Sequence, residues 1–247
     1  MDLQEQLDRI TRKKGQLDQH RPLSASVVQK LAEYFDVEWT YHSNAIEGST
    51  LTRRETQLIL QHGLTVGGKP LVEHLEAINH KHAIDFVQTL ADTDTPLTEH
   101  MIRQIHTLIL RTIDDDEAGR YRRGQVRIAG SEYMPPEAVS VPALMQELVA
   151  WLDSDDVSAR HPVETAALAH FRLVHIHPFV DGNGRTARLL MNLWLMRASY
   201  PPAVIRNEDR DAYYSALDAA HDGDTDGFAS LVAGAAERAL DTYLDAI

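Results

Sequence analysis

His177-Pro178-Phe179-Val180-Asp181-Gly182-Asn183-Gly184-Arg185-Thr186-Ala187-Arg188 gathers a base, a carboxylate, two glycines, an amide and two arginines in one short run. Neither a core helix nor an ordinary turn needs that set. Upstream, Ala166, Leu168, Ala169, Phe171, Leu173 and Val174 are dense enough in apolar side chains for a buried helix. Downstream, Ala187, Leu189, Leu190, Leu193, Trp194 and Leu195 recur near a helical period. The polar run therefore sits on a loop that feeds the start of a second helix. Gly182 and Gly184 let the backbone bend and approach a ligand closely. A helix start offers unpaired N–H groups and the positive end of the dipole, which together suit an anion. Arg185 and Arg188 share one face of the first turn and match phosphate oxygens. Asp181 is placed to hold Mg²⁺, which favours one or two carboxylates plus substrate phosphates. His177 can take a proton near neutral pH. The predicted site is a metal–polyphosphate cradle with a base beside it.

Composition narrows the remaining options. The 247 residues are 43% hydrophobic and 25% charged, ordinary values for a globular protein. No apolar run is long enough for a membrane span. The N-terminus, Met1-Asp2-Leu3-Gln4-Glu5, lacks the basic and apolar regions of a signal peptide. The absence of cysteine excludes disulfides and thiolate chemistry and fits a cytoplasmic location. A net charge of −13 argues against nucleic-acid or anionic-membrane partners. A basic cradle is thus a local feature of an acidic protein.

Helical patterns run along most of the chain. Leu3, Leu7, Ile10 and Leu17 mark a first amphipathic helix, broken at His20-Arg21-Pro22. Ser24 is a candidate cap for a second, with Val27, Val28, Leu31, Tyr34 and Phe35 as its stripe. That pattern weakens at Val37-Glu38-Trp39-Thr40-Tyr41 and resumes to Gly48, a candidate C-cap. Thr52-Arg53-Arg54-Glu55 is a capping-box pattern, and its helix stops at Gly63. Pro70 suits the first position of a helix to about Leu90, and Thr95-Pro96 the start of the next. Val126-Arg127-Ile128, the Gly130-Ser131 turn and Tyr133-Met134 read as a hairpin. Val141–Leu152 is helical, Pro162 opens the helix before the polar run, and two more follow around 209–220 and 226–243. The fold class expected is all-α, a helical bundle with a single β-hairpin.

The polar run resembles the signature of the Fic family, His-Pro-Phe-x-(Asp/Glu)-Gly-Asn-Gly-Arg-x-x-Arg, and matches it at every defined position. The resemblance implies a Fic-type bundle whose hairpin is a flap, and transfer of AMP from ATP to a Ser, Thr or Tyr hydroxyl of a target protein. It implies His177 as base and Asp181 as ligand of Mg²⁺, or of Mn²⁺. It implies Asn183 and Arg185 on the α- and β-phosphates, and Arg188 on the γ-phosphate. The Doc branch, which transfers the γ-phosphate, replaces both glycines; Gly182 and Gly184 therefore favour nucleotidyl transfer. The flap, residues 126–134, would clamp the target segment. Tyr213 and Tyr214 would border the adenine pocket, where either ring could stack, although an ordinary core role fits them as well.

Ser43-Asn44-Ala45-Ile46-Glu47-Gly48 resembles the family's inhibitory motif, (Ser/Thr)-x-x-x-Glu-(Gly/Asn), placed upstream as in the class whose own N-terminal helix inhibits the site. Glu47 would pair with Arg188 and misplace the triphosphate. The division expected is N-terminal helices over 1–50, including the inhibitory one, and a catalytic core with C-terminal helices over 51–247, together one compact unit. The resemblance covers roughly 40–235. Many relatives carry a DNA-binding winged helix after the core; the chain ends at Ile247 without room for one. Two alternatives stand beside AMP transfer: removal of AMP with Glu47 positioning a water, and a non-enzymatic nucleotide-sensing module. The target and the oligomeric state, a homodimer included, stay open. His170 and His175 beside His177 suggest zinc only weakly, without a third ligand at convincing spacing, and are expected to pack or hydrogen-bond.

Overall fold

A computed structural model of the chain describes residues 2–93, 95–128 and 130–247. The apolar periods become α1 (Leu3–Asp18), α2 (Ala25–Ile46), α3 (Arg53–His62), α4 (Leu71–Ala91), α5 (Glu99–Leu110), α6 (Val141–Leu152), α7 (Asp155–Ala159), α8 (Pro162–Ile176), α9 (Asn183–Arg197), α10 (Arg210–His221) and α11 (Asp226–Asp245). At the centre, α9 is buried almost all round, through Ala187, Leu189, Leu190, Met191, Leu193 and Leu195. It packs on α8, α4 and α5, while α11 covers α8 and carries α1 on its outer face. No helix is long and apolar enough to cross a membrane among the described residues.

Local chemistry sets most boundaries. The Ser24 hydroxyl accepts from the Val27 N–H and starts α2. Thr52 and Glu55 form both halves of a capping box, and Gly63 ends α3 in the left-handed region. Pro162 opens α8. Three expectations are revised. The second helix does not weaken at Val37–Tyr41: α2 runs unbroken to Ile46, because Val37, Trp39 and Thr40 are buried and packing overrides modest intrinsic propensity. The helix expected from Thr95-Pro96 begins at Glu99, where Thr98 accepts from the Met101 N–H as cap. Pro70 is itself the cap residue of α4, which starts at Leu71.

The hairpin expected over Val126–Met134 is not found among the described residues; Ala129, inside it, lies outside them. The segment folds back on itself through a turn, with the Ser131 N–H donating to the Ile128 carbonyl at 3.3 Å. Its arms are joined by a side chain: Gln125 Nε2 donates to the Pro135 carbonyl at 2.7 Å. Pro135 and Pro136, which have no N–H, follow directly and stop any pairing from extending past Met134.

Ion pairs fasten α1 to α11. Arg9 reaches Glu237 at 2.8 Å, and Lys13 reaches Glu237 at 3.0 Å and Asp241 at 2.6 Å. The hydrogen bond from Arg9, then those of Lys13 and both charges, pull the Glu237 carboxyl down to about 2. A depressed carboxyl stabilises the fold above its unfolded pKa, near 4.5, and that contribution is lost as pH falls towards 2. Glu237→Gln should therefore be less stable than wild type at neutral pH, with the gap closing between about pH 4.5 and 2, as read by urea midpoints across pH.

Candidate active site

The turn from α8 into α9 is a scaffold of buried hydrogen bonds. His177 caps α8 in the left-handed region, φ 49°, an uncommon setting for a residue with a side chain. Its N–H bonds to the Leu173 carbonyl at 2.9 Å. The buried Arg122 holds the next peptides: its Nε donates to the His177 carbonyl at 2.8 Å and its N–H to the Pro178 carbonyl at 2.9 Å. Asn183 Oδ1 accepts from the Phe179 N–H and Nδ2 donates to the Phe179 carbonyl, both at 2.9 Å. Gly182, φ 73°, then lets the chain enter α9 without a side-chain cap.

His177, Asp181, Gly182, Asn183 and Gly184 line one open cleft of about 280 Å³, together with Glu47, Tyr213 and Tyr214. His177 and the mouth of α9 thus face the same space. His177 Nδ1 lies 3.3 Å from the Val174 carbonyl. A carbonyl only accepts, so the proton sits on Nδ1 and leaves the Nε2 lone pair unprotonated. Burial lowers the imidazole below its usual value, outweighing the Val174 contact, and favours the neutral ring.

The side chains of Asp181, Arg185 and Asn183 are committed within the protein. Asp181 is 68% exposed and uses only Oδ2, which accepts from Arg185 Nη2 at 3.0 Å. The carboxylate can still take a hard cation that keeps phosphate and water ligands, so Asp181 fits Mg²⁺. Arg185 is turned away from the cleft lining; its other arm reaches Glu76 on α4 at 2.9 Å. Asn183 is 3% exposed with its amide committed to Phe179, so it offers the cleft its backbone rather than its side chain.

Glu47, the residue that ends α2, meets Arg188. Its Oε1 accepts from Nη2 at 2.7 Å. Arg188 also donates from Nε to Ser43 Oγ at 2.9 Å, from Nη2 to the Ser43 carbonyl at 2.9 Å and from Nη1 to Tyr213 Oη at 3.3 Å. Burial works against the guanidinium charge, but Glu47 outweighs it and raises the Arg188 pKa. Tyr213 is buried and relays on to His170 Nε2 at 3.0 Å, whereas Tyr214 is partly exposed under the Arg210 guanidinium, 5.1 Å from the ring centre. A Cβ on Gly184 would strike Glu47 Oε1, so this glycine makes room for the acid. Gly48, φ 104°, reverses the chain behind Glu47.

Sequence reasoning missed His106 on α5. Its Nε2 donates to the Asp181 carbonyl at 2.9 Å and its Nδ1 accepts from the Gly119 N–H at 2.9 Å. The ring stacks flat on Phe179, centroids 3.6 Å apart, and burial lowers it to about 4. A histidine in an amphipathic stripe carries no signal for this, and Glu76 carries none either; Arg122 lies in Gly119-Arg120-Tyr121-Arg122, a stretch that resembles the family, but nothing there points to its contacts. His175 meets His221 at 3.0 Å between their Nδ1 atoms, and His170 bonds Tyr213, so both pack and hydrogen-bond as expected.

A model of the Fic/DOC family matches residues 96–195. A protein adenylyltransferase Fic of Nematostella vectensis is 42% identical over 243 residues, 98% of this chain and 56% of that protein. A protein adenylyltransferase Fic of Drosophila melanogaster is 43% identical over 204 residues, 83% of this chain and 41% of that protein. The chain spans about half the length of these curated relatives. A Fic domain containing signalling protein from Bacteroides thetaiotaomicron superposes with a TM-score of 0.87 at 32% identity, covering 98% of this chain and 96% of that one. Fic-1 of C. elegans superposes at 0.88 and 32% identity, covering 99% and 72%.

Removing the His106 ring leaves a buried carbonyl and a buried N–H without their partner and opens a gap beside Phe179. His106→Ala should lower folding stability by about 2–4 kcal/mol, measured by denaturant unfolding.

Proposed function

Because the chain belongs to the Fic/DOC family, we propose that it is a protein adenylyltransferase, moving AMP from ATP to a Ser, Thr or Tyr hydroxyl of a target protein. The observation that carries this reading is the shared cleft, where an unprotonated imidazole nitrogen faces the N-terminus of α9. In it, the triphosphate lies against the first amides of α9, which stabilise charge on its oxygens. The target hydroxyl gives its proton to His177 Nε2 as its oxygen attacks the α-phosphorus, and pyrophosphate leaves. Asp181 would hold Mg²⁺, or Mn²⁺, whose charge would neutralise the phosphates. Arg188, once Glu47 leaves it, serves the γ-phosphate, and Tyr214, the tyrosine that is not buried, offers its ring to the adenine; Arg185, held by Glu76 and Asp181, would have to leave one of them to reach a phosphate. The cysteine-free composition suits a cytoplasmic setting.

Glu47 inhibits in this reading. It occupies the guanidinium that the γ-phosphate needs, so ATP binds with its α-phosphorus out of line, and misplaced reacting atoms are slow to react. The loop over 126–134 receives the target segment by strand addition. Among the described residues, the backbone of 125–127 makes no ladder, and such an edge can pair with an extended peptide.

A second reading, removal of AMP from a modified protein, is favoured by one observation. Glu47 is 30% exposed and lines the cleft with one oxygen on Arg188, so the carboxylate can also hold a water.

Glu47→Gly should raise self-modification from α-labelled ATP by about 100-fold, equivalent to ~2.7 kcal/mol of barrier. Adding His177→Ala should abolish the label; equal labelling without the imidazole rules out its role as base. The base must be neutral, and burial keeps its pKa below 6.5, so the Glu47→Gly rate should be level near neutrality and fall only on the acid side in a pH profile. An AMP-modified target separates the second reading: release by wild type and not by Glu47→Gly makes removal the native task.

A further inference from the structure

The segment after α5, which enters the cleft wall through Arg127, has the opposite charge to the chain as a whole, although Asp181 and Asp218 line the same cleft. The formal net charge is −13. Yet from Gly119 to Ser131 the chain carries Arg120, Arg122, Arg123 and Arg127 and no acidic residue; the next is Glu132. Arg122 is 2% exposed and structural, tied to the His177, Gly124 and Pro136 carbonyls. Through it the loop is bolted to the backbone of the base itself. The other three are exposed, and Arg127 lines the cleft with His177.

None of these three side chains has a hydrogen bond or ion pair among the described residues. By contrast, Arg160 is met by Asp156 and Glu164, Arg53 by Glu38 and Arg238 by Asp209. A guanidinium forks onto carboxylates, and a cluster left without them attracts acidic partners. The irregular backbone between the arginines sits where the target segment would add.

We propose that this rim selects target segments whose modified hydroxyl is flanked by Asp or Glu. The proposal rests on reading the cleft as a site of transfer to protein hydroxyls. It also runs against the global charge: a protein of net −13 would otherwise favour basic peptides. Rim arginines act mainly on encounter and on discrimination between partners. Their effect is screened by salt, with a Debye length of about 8 Å at physiological ionic strength.

The test uses three fluorescein-labelled peptides, identical except that a central Thr is flanked by Glu, Gln or Lys. Affinity for the full chain is read by fluorescence anisotropy at low and high salt. The Glu peptide should bind about tenfold tighter than the Lys peptide at low salt, with the preference shrinking to roughly twofold in 0.5 M NaCl. R123Q/R127Q should erase the preference and R123E/R127E should invert it, with unchanged circular dichroism. Equal affinities, a tighter Lys peptide, or no binding of any peptide overturns the proposal. So does a double variant that loses ATP affinity while the peptide order stands, which assigns the arginines to the nucleotide. Labelling of the same peptides by Glu47→Gly with α-labelled ATP tests the underlying reading separately. Peptide preference without any transfer, to peptide or to self, sinks that reading and leaves the acidic-segment surface; transfer without preference sinks the rim alone.

Discussion

A guanidinium group at 2% exposure has to find partners for its charge, and Arg188 sets the arrangement of everything around it. Glu47 supplies the counter-charge, Ser43 a hydroxyl and a carbonyl, and Tyr213 a phenol oxygen. Those partners come from α2 and α10, and Tyr213 passes the network on to His170 of α8. Three helices, α2, α10 and, through Tyr213, α8, therefore converge on one side chain of α9. The constraint explains why α2 continues without a break through Val37–Tyr41: an interruption there would withdraw Ser43 and Glu47 from the mouth of α9. It also explains Gly184, whose missing Cβ is the space that Glu47 Oε1 occupies.

His177 is held by a different set of contacts. His177 sits in a left-handed conformation that a flexible loop would abandon, and Arg122, Asn183 and His106 over-determine it through the backbone of Pro178, Phe179 and Asp181. These groups come from α5, from the segment after it and from α9, so the loop behaves as part of the core. Rigid placement of a functional loop by distant elements is what positions reacting groups to within a fraction of an ångström. The cost is three buried polar side chains that must all be satisfied, and nearly all of their polar atoms are.

The two charge patterns of the molecule follow from one division of labour. Inside, Arg185 and Arg188 are each matched by carboxylates, because a buried unpaired cation is unfavourable. On the segment after α5, Arg120, Arg123 and Arg127 face water, where an unpaired cation costs little and remains available to a partner. The loop that bears them has no ladder among the described residues and is anchored by Arg122 and Gln125.

Much of this was legible in the sequence wherever cause and effect lie within a few residues. The signature loop, the Ser24 cap, the Thr52–Glu55 capping box and the apolar stripes of the helices are local patterns, and local geometry follows from them. The Glu47–Arg188 pair was legible through resemblance, since no spacing rule links residues 141 apart. What the sequence could not supply was the direction of polar side chains across the fold. His106 and Asp181 are 75 residues apart, Arg122 and His177 are 55, and Arg185 and Glu76 are 109. Nor could it say that the Asn183 amide turns inward or that Tyr213 is buried while Tyr214 is partly exposed. Residue type and spacing along the chain determined which chemistry is present; only packing decided which groups meet, because hydrogen bonds and ion pairs act over a few ångströms of space and take no account of separation in sequence.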